Sequence, residues 1–296
     1  MPMEPFRNIG IIGRDGSGVV ESLQRLIAFL RGRGLNIIIG DHIEHLLDSS
    51  LLQDARICSR KMIGEICDLI VVVGGDGSLL AAARTLARYD VPVLGINRGR
   101  LGFLTDVSPD EIELRVGEVL DGHYRIEKRF LLDATVKRNG EPIGTGDALN
   151  DVVVNSGTSA KMIEFELYIE GEFVYRQRSD GLIVSTPTGS TAYSLSGGGP
   201  IMHPRLDAMV LVPMFPHTLS SRPIVVDGNS EIKLVICDTN VGAVPVTFDG
   251  QVNVMAQPGD LIYVTKKPHK LKLIHPLTHS FYASCRDKLG WHTSSF

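Results

Sequence analysis

The residues best suited to chemistry lie in Val71-Val72-Val73-Gly74-Gly75-Asp76-Gly77-Ser78-Leu79-Leu80, where one carboxylate sits among three glycines between an apolar run and a helical one. Glycine lets peptide N–H groups approach an oxyanion with no Cβ in the way, and the N-terminus of a following helix adds partial positive charge. Phosphate suits such a turn. An aspartate among phosphates is repelled unless it holds a metal or accepts a proton. A plainer reading makes Asp76 the N-cap of a helix beginning near Ser78. That explains the carboxylate and leaves three glycines without a reason.

A second segment, STPTGSTAYSLSGGGP at 185–200, packs hydroxyls, glycines and Tyr193 behind the apolar run Leu182–Val184. Hydroxyls and backbone amides suit ribose and phosphate, and the tyrosine ring suits a flat heterocycle. Asp180 supplies a carboxylate just ahead of it. Asn150-Asp151 opens another apolar run, Val152–Val154, and by itself reads as turn residues before a strand.

Other patterns are absent or weak. There is no GxxxxGK[ST] phosphate loop and no GxSxG nucleophile elbow. Gly13-Arg-Asp-Gly16-Ser-Gly18 follows an apolar run but misses the dinucleotide spacing GxGxxG, so a glycine-rich turn is expected. Asp41-His42-Ile43-Glu44-His45 has metal-ligand residue types without zinc spacing and reads as an exposed helix start. The lysines Lys266, Lys267 and Lys272 read as a solvated strand edge.

The elements that must position these residues fall into two patterns. Up to about Arg129 short apolar runs alternate with helical spacing: Ile9–Ile12, a helix over Val20–Arg31, Leu35–Ile39, helical stretches near Ile43–Leu47 and Lys61–Ile66, Leu69–Val73, a helix over Ser78–Tyr89, and Val91–Ile96. This predicts a doubly wound, Rossmann-like α/β domain that binds ligands at the carboxyl ends of its strands. After Arg129 the period becomes two, as in Met162–Ile169, with two-residue turns at Asn139-Gly140, Glu170-Gly171 and Asp249-Gly250. A mostly antiparallel β domain is expected there. The division anticipated is 1–128 for the α/β domain, 129–272 for the β-rich domain, and a 273–296 tail that could return to the first, with Leu271–Ile274 as a last strand.

Composition bounds the partners. The 296 residues, 43% hydrophobic and 22% charged, suit a soluble globular chain of about two domains. A net charge of -4 gives no footprint for nucleic acid. Four scattered cysteines without CxxC pairs suggest reduced thiols. The opening MPMEPFRNIGIIG lacks a secretory pattern and no run is long enough to span a membrane, so a cytoplasmic location is expected.

Together GGDGS at 74–78, GINRGRLGFLTD at 95–106, LND at 149–151, SDGLIVSTPTGSTAYSLSGGGP at 179–200 and FDGQ at 248–251 resemble the NAD kinase family, and most closely its bacterial, proteobacterial branch. GGDG alone is shared with phosphofructokinases and diacylglycerol-type lipid kinases; its combination with the 185–200 segment is specific. The resemblance implies transfer of the γ-phosphoryl group of ATP to the 2′-hydroxyl of the adenosine ribose of NAD, giving NADP. It makes Asp76 the base, with Gly77 beside it, and implies NAD contacts from Asn150, Asp151, Lys161, Asp180, Thr191, Ala192, Tyr193, Ser194, Leu195, Ser196 and Gln251. Phe103 is expected near an adenine. Arg178 stands where family members restricted to oxidised NAD are basic, so NAD is expected to be preferred over NADH. No residue is assigned as a metal ligand, though ATP use implies a divalent cation, magnesium. The resemblance also implies a homodimer or homotetramer. Ser78 for the commoner Thr, and Asp151 for the commoner Glu, keep the functional group. The rivals are a lipid kinase of the diacylglycerol or sphingoid type, which needs an apolar groove, and a non-catalytic NAD-binding sensor, which Asp76 together with Asn150-Asp151 argues against.

Overall fold

A computed structural model describes residues 6–16, 18–98, 102–157 and 161–291. Residues 99–101 of the GINRGRLGFLTD stretch, Ser17 of the Gly13–Gly18 loop and residues 158–160 lie outside that set. The chain divides into two compact units, Met1–Lys128 with Lys270–Phe296, and Arg129–His269.

In the first unit the chain runs β1 (Asn8–Gly13), α1 (Val19–Gly32), β2 (Asn36–Gly40), α2 (Ser49–Leu52), β3 (Arg56–Cys58) and α3 (Arg60–Ile66). It continues through β4 (Leu69–Val73), α4 (Asp76–Leu86), β5 (Pro92–Ile96) and α5 (Ile112–Leu120). The strands pair in parallel in the order β3-β2-β1-β4-β5. β4 is LIVVV with every residue buried, as a strand covered on both faces must be. From α1, Leu23, Leu26, Ile27 and Leu30 join Ile9, Ile11, Val71 and Val73 in one core. The chain leaves β1 toward β2 and β3 on one side, and β4 leads to β5 on the other. The carboxyl ends of β1 and β4 therefore flank a switch point, where the connections part and leave room for a ligand. The Gly74–Gly77 turn emerges there.

β6 (Tyr124–Arg138) begins in the first unit and runs into the second, which contains β7 (Glu141–Ala148), β8 (Asp151–Asn155), β9 (Ile163–Ile169), β10 (Glu172–Ser179) and β11 (Gly181–Ser185). The four-residue α6 (Tyr193–Ser196) precedes β12 (Ala208–Met214), β13 (Ile224–Asp227), β14 (Ile232–Ile236), β15 (Val244–Phe248) and β16 (Val252–Ala256). β17 (Leu261–Pro276) pairs by its first half with β14, and by Lys272–Ile274 with β5 of the first unit's sheet; α7 (Phe281–Leu289) follows. One antiparallel sheet has the order β13-β12-β11-β8-β15-β16. Its buried Val152, Val154, Leu182, Val184 and Phe248 share a core with Phe165 and Leu167 of β9, Leu234 of β14 and Ile262 of β17. The three predicted turns join β6 to β7, β9 to β10 and β15 to β16. Both central residues of each have positive φ (51° and 86°, 52° and 78°, 51° and 64°), the type I′ geometry that matches strand twist.

The α/β class of the first unit and the antiparallel β class of the second are as expected; several details differ. α4 starts at Asp76, two residues before Ser78, and gives way to a 3-10 turn over Ala87–Tyr89. The stretch near Ile43 is 3-10 helix, Asp41–Leu46, in which His42 is half-buried with Nε2 3.0 Å from the Gly13 carbonyl. β17 begins at Leu261, ahead of the expected Leu271, because Lys266, Lys267 and Lys270 interrupt the apolar alternation. Lys266, Lys267 and Lys272 are no solvated edge, and Lys272 pairs with Asp90. Lys266 bonds Asp207 at 2.5 Å and lies 5.2 Å from the Phe130 ring centre, while Lys267 pairs with Asp147. All four cysteines are free and buried. Among the described residues no helix is long and apolar enough to cross a membrane.

Candidate active site

The three glycines of the β4–α4 turn have different reasons. A Cβ at Gly74, whose φ is 154°, would stand 2.3 Å from Ser78 Oγ, so packing excludes any side chain. Gly75 has φ −86° and ψ −175°, a backbone that any residue adopts, and a Cβ there would meet nothing within 4 Å. At Gly77 the nearest group is Arg14 Nη1, 3.9 Å away. Among the described residues nothing lies within 4 Å of a Cβ at Gly75, and Arg14 alone comes within 4 Å of one at Gly77.

Gly75 is the N-cap of α4, and Asp76 is its first helical residue. The carboxylate therefore does not cap its own helix; it reaches across to Gly102–Thr105. Oδ2 accepts the Phe103 N–H at 2.7 Å. Oδ1 accepts the N–H groups of Leu104 and Thr105 at 3.1 and 3.2 Å and the Thr105 hydroxyl at 3.0 Å. The fit is close: a Cβ at Gly102 would lie 1.8 Å from Oδ1. A carboxylate offers about four lone-pair sites. Among the described residues three donors crowd Oδ1 and one meets Oδ2, which leaves Oδ2 the oxygen able to take another donor.

Phe103 is half-buried, with Lys288 of α7 standing over its ring, 4.5 Å from the centre. Burial pushes the Lys288 ammonium down, against the opposing charges of Asp76 and Asp106. Asp106 meets two imidazoles. Its Oδ2 accepts from His275 Nδ1 and lies 2.9 Å from His279 Nδ1, and the two rings stack with centres 4.2 Å apart. Burial raises the Asp106 carboxyl, but the hydrogen bonds from both histidines outweigh it and hold the pKa at about 2. These three side chains have metal-ligand types with donor atoms within 4.8 Å of one another. The Asp106 contacts have hydrogen-bond spacing, whereas ligands about 2.1 Å from a shared cation stand roughly 3 Å or more apart.

In the second unit the Asp249 carboxylate of the β15–β16 turn accepts the backbone N–H groups of Leu149, Asn150 and Asp151 at 3.0, 2.7 and 3.3 Å. This fixes the Asn150-Asp151 pair at the start of β8. The Asn150 carbonyl is held in turn by the Thr186 N–H at 2.9 Å and the Ser185 hydroxyl at 3.2 Å. Asp151 is 4% exposed; burial pushes its carboxyl up to about 7, and the neighbouring Asp249 charge acts in the same direction. Gln251 is exposed on the same turn.

The 185–200 segment divides by burial. Ser185, Thr186 and Ser190 are fully buried and spend their hydroxyls on backbone, Ser190 bridging the Pro187 carbonyl and the Met202 N–H. These hydroxyls build the loop and are not available to a ligand. Ser194 is also fully buried, its Oγ without a partner among the described residues, so its side chain is not presented at the surface. Thr191, Ala192 and Leu195 are half-buried; Tyr193 and Ser196 are exposed. Tyr193 and Ser196 line a cavity of about 500 Å³ with Met214, Phe215, Thr218 and Arg222. Lys161 and Arg178 line a different one of about 320 Å³, with Ser156 and Asn240. Asp180 is half-buried, between the two strands β10 and β11. The second unit thus groups the expected residues in three places: Asn150-Asp151 with the Asp249 turn, Tyr193 with Ser196, and Lys161 with Arg178.

Sequence reasoning treated Asp249 only as a turn residue and did not single out Thr105, Asp106, His275, His279 or Lys288. The stretch from Met214 to Pro223, whose prolines and exposed Phe215 and Leu219 mark an irregular surface segment, was the readable sign of the larger cavity.

A glycine turn opening at a sheet's switch point, with a carboxylate fixed among amides, has the form of a site for a phosphate-bearing ligand, as in kinases. Comparison with known proteins narrows the class. Residues 9–124 match the ATP-NAD kinase N-terminal domain and residues 149–276 the ATP-NAD kinase C-terminal domain. The NAD kinase of Marinobacter nauticus is 63% identical over 290 residues, 98% of either chain. That of Hahella chejuensis is 64% identical over 293 residues, 99% of this chain and 98% of the relative. A yeast NADH kinase solved with NADH superposes with a TM-score of 0.86 at 27% identity, over 99% of this chain and 90% of that one. An NAD kinase from Archaeoglobus fulgidus solved with ATP gives 0.73 at 26% identity, over 97% and 100%. The chain belongs to the NAD kinase family.

Proposed function

We propose that this protein transfers the γ-phosphoryl group of ATP to the 2′-hydroxyl of the adenosine ribose of NAD, and that Asp76 is the group that takes the hydroxyl proton. The observation that carries the site assignment is the β4–α4 turn, where Gly75 lacks a side chain without any packing reason and Asp76 Oδ2 keeps room for a donor. A phosphate against the turn gains amide hydrogen bonds and the positive end of α4. The ribose oxygen then attacks the γ-phosphorus, the bond to the β-phosphate oxygen breaks, and the hydroxyl proton passes to Asp76. Little covalent work is asked of the protein; positioning and charge supply the rate.

Asn150 and Asp151, fixed by the Asp249 clamp, are assigned to the NAD ribose, where a carboxyl and an amide match vicinal hydroxyls. Tyr193 and Ser196, with Thr191, Ala192, Leu195 and the Ser194 backbone, are assigned to the same dinucleotide, as are Asp180 and Gln251. Lys161 and Arg178 place positive charge around a pocket, and Arg178 is the residue assigned to preference for NAD over NADH. Phe103 is assigned to an adenine by the ring face that Lys288 does not cover. The divalent cation, magnesium, comes with ATP: three donors crowd Asp76 Oδ1, so phosphates and water hold the ion, as magnesium commonly is held. The protein is proposed to work in the cytoplasm as a homodimer or homotetramer. Phe215, 77% exposed, and Leu219, 94% exposed, are apolar side chains that a second copy would cover.

The test is incubation with ATP and magnesium and either NAD or a lipid extract. NADP from the first and no phospholipid product from the second is the expected result; phosphorylated lipid alone would overturn the proposal.

A further inference from the structure

We infer that His275 and His279 are positioning residues for Asp76, acting through Asp106 and the Gly102–Asp106 segment. The inference rests on the reading of Asp76 as the proton acceptor and adds to it a support that lies far away in the chain.

The Asp76 carboxylate is oriented by consecutive N–H groups of Phe103, Leu104 and Thr105 and by the Thr105 hydroxyl. That segment has no helix or sheet of its own until Val107, which bridges Ile96, donates to the Gly95 carbonyl and accepts from the Asn97 N–H. Between Thr105 and Val107 stands Asp106, and its carboxylate, 10% exposed, is what the two imidazoles hold. Both rings reach it through Nδ1, so both carry their proton there, and both meet the same oxygen, Oδ2. Asp106 is bonded directly to Thr105, so a shift of its backbone is passed to Thr105, whose N–H and hydroxyl are two of the three donors on Asp76 Oδ1.

The histidines are themselves fixed. His275 is at the end of β17, fully buried, with Nε2 3.7 Å from Glu127. The His279 carbonyl accepts Arg125 Nη2 at 2.6 Å, and its N–H donates to the Pro276 carbonyl at 3.0 Å. Ring stacking at 4.2 Å makes the pair one rigid support. The geometry has the logic of outer groups that orient a metal ligand, here applied to a base: a residue that never touches substrate fixes the one that does.

The experiment is a double-mutant cycle on turnover with saturating ATP, magnesium and NAD. His275→Ala, and His279→Ala should the first not fold, is expected to lower kcat about tenfold to a hundredfold, with KM for both substrates little changed. His275→Asn places an amide N–H near the position of Nδ1 and is expected to restore most of kcat. In an Asp76→Asn background the histidine substitution is expected to have almost no further effect, because the base it orients is gone. Equal fold losses in both backgrounds would overturn the inference, as would full kcat in the folded histidine variants. Wild-type turnover in Asp76→Asn alone would instead remove the reading of Asp76 on which it rests.

Discussion

Asp151 is the group whose titration should be visible in the stability of the fold. Its carboxyl rises from the usual 3.8 to about 7, first by burial and then by the Asp249 charge. The folded protein therefore keeps a proton that the unfolded chain has lost. Between about pH 4 and pH 7 unfolding releases that proton, so stability falls as the pH rises across the interval. The contribution is whole below pH 4 and gone above the folded value. A difference of about three pH units corresponds to about 4 kcal/mol. Asp151→Asn keeps the shape and a hydrogen-bonding amide but removes the ionisation. Denaturant unfolding of both proteins at intervals from pH 4 to pH 8.5 gives the difference in stability at each pH. The variant is expected to gain on the wild type by about 4 kcal/mol from the acid to the alkaline end. A difference that stays constant with pH would refute the burial argument for Asp151.

Two other substitutions test the binding assignments. Gly75→Ala adds a methyl where nothing of the protein lies within 4 Å, so stability should change by less than about 1 kcal/mol while turnover with ATP falls severalfold or more; unchanged kinetics would show that no phosphate approaches this backbone. Arg178→Gly is expected to raise turnover on NADH relative to NAD, read by following each phosphorylated product; no gain on NADH would mean that the charge at 178 does not set the preference.

Features made by neighbouring residues could be read from the sequence. β4 is a run of five apolar residues, and its glycine turn declares itself by composition. The three I′ turns are dipeptides whose positive φ values suit Asn, Asp and Gly, with Glu170 the one residue that is uncommon there. What escaped was made by residues distant in sequence and by backbone groups. Asp76 finds its donors 27 to 29 residues on, and N–H groups leave no side-chain signature. Asp249 clamps amides about 100 residues away, and Asp106 meets His275 across 169. The lysines at 266 and 267 looked solvated because Asp147, the partner of Lys267, lies 120 positions earlier. Ser194 shows the reverse limit: its segment had the composition of a binding loop, but the turn of α6 points that hydroxyl inward. Composition identifies a ligand-binding loop, and packing decides which of its side chains a ligand can meet.

The central claim is that Asp76 takes the ribose proton in NAD phosphorylation. The most direct measurement is NADP formed from NAD, ATP and magnesium by the wild type and by Asp76→Asn, with NAD binding to each followed by calorimetry. Asparagine cannot accept the proton but retains an oxygen for the Phe103–Thr105 amides. The account predicts NADP from the wild type and loss of most turnover in the variant, with NAD binding largely kept. Turnover in the variant equal to the wild type would contradict it.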